Sequence, residues 1–69
     1  MEITNAESAR SWLHAWDGRP RRGVLSKAIE GLTTSESILR SKGDFQTAMD
    51  TSNALTVLKD AWRLHYGSA

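Results

Sequence analysis

The 69-residue chain contains no cysteine and a single proline, and none of its apolar runs exceeds two residues. The first absence excludes disulfides, and the last excludes a membrane-spanning helix. There is also no glycine-rich phosphate loop and no tight cluster of histidines and carboxylates. Catalysis requires several converging polar groups, so these absences argue against an enzyme and predict no cofactor and no metal.

What the chain does contain is typical of one small folded domain spanning residues 1–69. Hydrophobic residues make up 39% and charged residues 25%, which lies in the globular range. A chain of this length buries only about 60% of its unfolded surface, so self-association as a homodimer or a partner would add needed stability. The first residues lack the basic start and apolar stretch of a secretory signal, and we therefore expect a soluble, cytoplasmic protein.

Apolar residues recur at helical spacing throughout, and no segment alternates with period two. We therefore predict an all-α bundle of about four helices. Thr4 and Glu7 fit a capping box that opens the first helix, Gly18 ends it, and Gly43-Asp44 separates the last two helices. The predicted helices span residues 5–17, 23–31, 34–42 and 44–66. The polar run Thr51-Ser52-Asn53 leaves open whether the last is one helix or two joined by a kink.

The segment 24–42 resembles a helix-turn-helix of the DNA-binding type, with Gly31-Leu32-Thr33 as its turn. It departs from the usual pattern because Ser37, rather than a β-branched residue, stands six positions after the glycine. If this segment bound DNA, its base and phosphate contacts would come from residues on and before the second helix. They are Arg21, Arg22, Lys27, Thr34, Ser35, Ser37 and Arg40.

The net charge is only +1, but it is unevenly distributed. Between Arg10 and Lys27, five basic residues face one acid, while the rest of the chain is acidic. The connector Arg19-Pro20-Arg21-Arg22 forms the densest basic run. Guanidinium groups bind carboxylates and phosphates bidentately, so this connector would bind an acidic protein surface or nucleic acid, or would serve only as a solvated loop.

Three tryptophans are numerous for so short a chain. Trp12 shares a helical face with Ala9 and Leu13, which predicts a core position. A core this small does not readily cover three indoles, and we expect Trp16 or Trp62 to be partly exposed. Exposed tryptophans beside arginines are typical of protein interfaces. The predicted partner-binding residues are Arg19, Arg21, Arg22, Trp16 and Trp62.

Three functions fit these features. The first is a non-enzymatic helical regulator, an inhibitor or adaptor that binds a larger intracellular machine; small regulators encoded by phages and mobile elements offer an analogy. The second is a helix-turn-helix-like DNA-binding regulator acting as a dimer. The third is a self-associating structural or assembly subunit. Because nine bases against eight acids suit protein binding better than phosphate binding, the sequence favours the first.

Overall fold

A computed structural model describes residues 3–67, which form three α-helices. They are α1 (Ala6–Ala15), α2 (Arg22–Ser41) and α3 (Phe45–His65). No strand occurs within this range. The all-α prediction is therefore confirmed, whereas the predicted count of four helices is wrong. None of the three helices is both long and apolar enough to span a membrane.

The helices predicted over 23–31 and 34–42 are a single helix, α2. No turn occurs at Gly31-Leu32-Thr33. The hydroxyl groups of Thr33 and Thr34, at the predicted start of a new helix, donate to the carbonyl oxygens of Ile29 and Glu30, at 2.8 and 3.1 Å. Such bonds to the preceding turn satisfy the hydroxyls without breaking the helix. The apolar stripe of Leu25, Ile29 and Leu32 runs through the glycine, and its packing holds α2 continuous.

Substitution by alanine should change the stability in opposite directions at two glycines, one inside α2 and one just after it. A Cβ at Gly31 would meet no atom within 4 Å, so Gly31→Ala should raise the free energy of unfolding by about 1 kcal/mol. Gly43 has a φ of 80°, so Gly43→Ala should lower it by about 1 kcal/mol. Urea unfolding followed by circular dichroism measures both. A destabilising Gly31→Ala would mean that α2 breaks at residue 31 after all.

The cap of α1 lies one residue later than predicted. Asn5, not Thr4, is the N-cap residue: its side chain accepts from the amide of Ser8 at 2.8 Å, and the Ser8 hydroxyl accepts from the amide of Asn5 at 2.9 Å. The helix ends at Ala15, where 17 was predicted. Asp17 and Gly18 follow with φ values of 55° and 77°, a left-handed conformation that continues no α-helix.

The remaining boundaries agree with expectation. Gly43 has the positive φ that ends α2, and the Asp44 side chain caps α3 by accepting from the amide of Thr47 at 3.4 Å. The segment predicted over 44–66 is one helix without a kink. The polar run Thr51-Ser52-Asn53 does not interrupt this helix. Thr51 is buried, and its hydroxyl donates to the carbonyl oxygen of Thr47 at 2.9 Å.

Helix α3 is the centre of the fold, since α1 and α2 both pack against it. The fully enclosed core is small and rich in alanine, which lets the helices approach closely. Its buried members are Ala9, Leu25, Ala54, Leu58 and Ala61. Helix α1 is about 15 Å long and α2 about 30 Å, so α1 covers only part of the α2–α3 hairpin.

Candidate protein-interaction surface

The connector between α1 and α2 is fixed from the opposite end of the chain. Pro20 is fully buried, and its carbonyl oxygen accepts a hydrogen bond from the Tyr66 hydroxyl at the end of α3. The arginines on either side of Pro20 are exposed. Burial of the proline therefore holds Arg19 and Arg21 outward on an ordered loop, which lowers the entropic cost of binding through them.

Arg22, the first residue of α2, lies against an aromatic side chain of α3. Its guanidinium carbon is 5.5 Å from the centre of the Trp62 ring, within the range of a cation–π interaction. Tyr66 packs on Trp62 in turn, with ring centroids 5.3 Å apart. Trp62 is half-buried and packs against the core, so one of its faces supports the fold while its ring orients Arg22.

The connector arginines form no ion pair among the residues that the structure describes. Two ion pairs occur among residues 3–67, Arg40 with Glu36 at 2.9 Å and Arg63 with Asp60 at 3.0 Å. Neither involves a connector arginine. We call Arg19, Arg21, Arg22 and Trp62 the connector surface. Its chemistry suits carboxylates, because each guanidinium presents several donors in one plane.

The fifth predicted partner-binding residue, Trp16, belongs to a different contact. It stands at the end of α1 and is 39% exposed, as expected for one of the three tryptophans. Its ring packs against Trp12, with centroids 6.2 Å apart. Trp12 itself is half-buried against the core. Trp16 is thus an exposed continuation of the α1 stripe.

The residues predicted for DNA contact do not form a recognition helix. Thr34, Ser35 and Ser37 lie inside the continuous α2, so they do not open a separate helix after a turn. Lys27 and Thr34 border one shallow depression on α2, and Lys27 with Ser35 also borders the groove beside α1. Arg40 is paired with Glu36. The helix-turn-helix geometry predicted for residues 24–42 is therefore wrong.

A second exposed group, which the sequence did not lead us to expect, lies at the other end of the hairpin. Phe45 and Met49 of α3 are 64% and 58% exposed. They lie one turn apart on α3, while Ala48 on the same helix is buried. The spacing of Ala48, Thr51, Leu55 and Leu58 traces the buried face and would have excluded both residues from it.

Tyr66 was also missed, and its hydroxyl provides a test of how the connector is held. Tyr66→Phe removes only the donor to the Pro20 carbonyl and leaves the ring on Trp62. We expect the free energy of unfolding to fall by about 1–2 kcal/mol, because a buried carbonyl loses its partner. Hydrogen exchange should accelerate at the amides of Gly18 and Arg19. Unchanged exchange there would show that Pro20 burial alone orders the connector.

No protein family, curated protein or solved structure matches this chain. Within residues 3–67, no three side chains of the metal-ligating types converge.

Proposed function

We propose that this protein is a non-enzymatic regulator that binds a larger protein through the connector surface, as an inhibitor or adaptor acting in the cytoplasm. The observation that carries the proposal is the Arg22 guanidinium over the Trp62 ring, beside two exposed arginines on an anchored loop. Arginine and tryptophan are the residues most enriched at interface hot spots. An ordered loop also presents them with little entropy to lose on binding.

An acidic protein surface is a better match to this site than nucleic acid. The net charge of the chain is only +1, and phosphate binding draws its strength from a wide basic excess. Asp17 stands close to the connector in sequence, and Asp60 already pairs with Arg63 at the end of α3. The basic area is therefore small. It can pair with a few carboxylates but does not extend far enough to follow the groove of a duplex.

The proposal is tested by quantitative affinity capture from a nuclease-treated lysate of the source cells. The bait is compared with Arg19→Ala/Arg21→Ala, which removes two exposed connector charges without touching Trp62. A matched control, Arg10→Ala/Lys42→Ala, removes the same charge from exposed sites elsewhere. We expect one protein to be retained by the wild type and the control but lost with the connector variant. Equal retention by both variants, or retention of nucleic acid alone, would refute the proposal.

Self-association is a second candidate, supported by the exposure of Phe45 and Met49 on one face of α3. Adjacent large apolar side chains on a small monomer are a common feature of interfaces. If copies of the chain pair there, sedimentation should show dimers that Phe45→Ser/Met49→Ser converts to monomers. A wild type that remains monomeric at high concentration would exclude this candidate and leave the first unaffected.

A further inference from the structure

The α2–α3 hairpin has a second groove, on the flank that α1 does not occupy. On α2, Lys27 and Gly31 line the groove shared with Trp12 of α1. Ser26, Ile29 and Thr33 lie on the other flank and line an open groove of about 390 Å³ against α3. We call it the bare groove. Its volume lies near the lower end of the range of about 300–1,000 Å³ seen for ligand sites.

The bare groove has an apolar floor and a basic rim. Ile29 and Trp62 supply the apolar surface, and Lys59 stands on the α3 side. Trp62 also joins the groove to the connector surface, because its ring carries Arg22. Neither Lys59 nor Arg22 is in an ion pair among residues 3–67. The one acid on the rim is Glu30 of α2, so positive charge prevails around Trp62.

We infer that the bare groove binds an amphipathic helix of the partner protein, with apolar side chains on Ile29 and Trp62 and carboxylates toward Lys59 and Arg22. This inference rests on the proposed function and names the chemistry of the partner. A channel between two antiparallel helices accepts a third helix by packing of side-chain ridges into grooves. Helices recognised in this way carry apolar anchors at i, i+3 or i+4, and i+7.

Charge complementarity favours an acidic helix over the other occupants. A nucleic acid duplex presents phosphates on its outer surface and would leave the apolar floor of Ile29 and Trp62 without an apolar partner. A second copy would have to present its own acidic apolar helix face. Of the exposed apolar residues of α3, Phe45 and Met49 lie at the other end of the hairpin from Trp62, and Leu64 lies between Arg63 and His65 rather than among acids. An acidic amphipathic helix satisfies the floor and the basic rim together.

The probe for this inference is a synthetic capped peptide of about 18 residues, with leucines on one helical face and glutamate and alanine elsewhere. A peptide of the same composition, scrambled so that the leucines surround the helix, is the control ligand. Nitrogen–proton correlation spectra resolve the indole groups of the three tryptophans. We expect a saturable shift of the Trp62 indole signal with the amphipathic peptide and no shift of Trp12.

Two lysine variants test the placement of the carboxylates. Lys59→Glu reverses a charge on the groove rim and should weaken peptide binding about tenfold. Lys42→Glu makes the same change at the end of α2, away from the groove, and should leave the affinity within about twofold. Circular dichroism should be equal for both variants, because each lysine is exposed.

The inference is overturned if the Trp62 signal does not move, if the scrambled peptide binds as well, or if both lysine variants weaken binding equally. It is also overturned if a DNA duplex or a higher concentration of the protein itself moves Trp62 while the peptide does not. These failures are separable from failure of the proposed function. If a partner is captured through Arg19 and Arg21 but the Trp62 signal does not move, the proposed function is upheld and only the inference fails. If the affinity capture finds no protein, the proposed function is refuted regardless of the peptide result.

Discussion

Leu58→Ala is expected to lower the free energy of unfolding by about 2–5 kcal/mol, the usual cost of emptying a leucine site in a closed core. Leu58 is fully buried in the middle of α3 and belongs to the core cluster that joins all three helices. A domain of this length has about 3–10 kcal/mol of stability in total. The variant should therefore lose a large share of that stability and unfold at a clearly lower urea concentration than the wild type.

Leu64→Ala is the matched control, because it makes the same substitution on the same helix at a side chain that is 78% exposed. Its effect should lie within about 0.5 kcal/mol. Urea unfolding followed by circular dichroism and tryptophan fluorescence measures both variants. Comparable losses of stability would mean that Leu64 is covered by other molecules in solution or that the core lies elsewhere.

Local signals were sufficient to predict the helical class and several boundaries. Gly18 and Gly43 were expected to end helices and do so with positive φ, and Asp44 was expected to open the last helix. These features depend on one or two residues and their immediate backbone, which is why sequence alone predicts them. The cap of α1 shows the limit of such reasoning: Thr4-Glu7 and Asn5-Ser8 are adjacent pairs of similar chemistry, and only packing decides between them.

The error at Gly31 has a different cause. A glycine with two threonines two and three positions later, Gly31, Thr33 and Thr34, is a strong local signal for a turn, since all three residues are poor in helix interiors. The competing signal is longer: Leu25, Ile29, Leu32 and Leu39 keep helical spacing across the glycine, and the first three pack on the core. Burial of this stripe against α3 outweighs about 1 kcal/mol of glycine penalty, so tertiary packing overrides the local preference.

The candidate site could be predicted only in part. The residue types were identified because arginine-rich connectors and surplus tryptophans stand out in composition. Their arrangement depends on contacts between distant parts of the chain, such as the bond from Tyr66 to Pro20, which spans 46 residues. Nothing local in the sequence indicates that Trp62 would lie beneath Arg22 rather than beside Trp16. The bare groove is likewise a consequence of α1 lying on only one flank of the α2–α3 hairpin.

These contacts give the connector surface a property that composition alone would not. Trp62, Tyr66 and Pro20 belong to the folded framework, while Arg19 and Arg21 contribute little to it. Arg22 stands between the two groups. Stability and binding should therefore be separable by substitution, with the arginines affecting binding and the aromatic residues affecting both.

Arg21→Ala/Arg22→Ala is the variant that tests this separation. We expect the helical circular dichroism to be retained and the free energy of unfolding to change by less than about 1 kcal/mol, because both side chains are exposed and Arg21 makes no capping bond. Affinity for the captured partner, measured by calorimetry, should fall about 30- to 100-fold, as for loss of an interface hot spot. A variant that unfolds would show that the arginines are structural.

Arg22→Lys divides the contribution of Arg22 further. Lysine keeps the positive charge but loses the planar group that lies over Trp62 and forms paired hydrogen bonds with a carboxylate. If Arg22 acts through its guanidinium, Arg22→Lys should lose most of the affinity that Arg22→Ala loses. If lysine restores full affinity, the positive charge alone accounts for the contribution of Arg22 to binding. The contact with Trp62 would then only restrict the conformations of the Arg22 side chain.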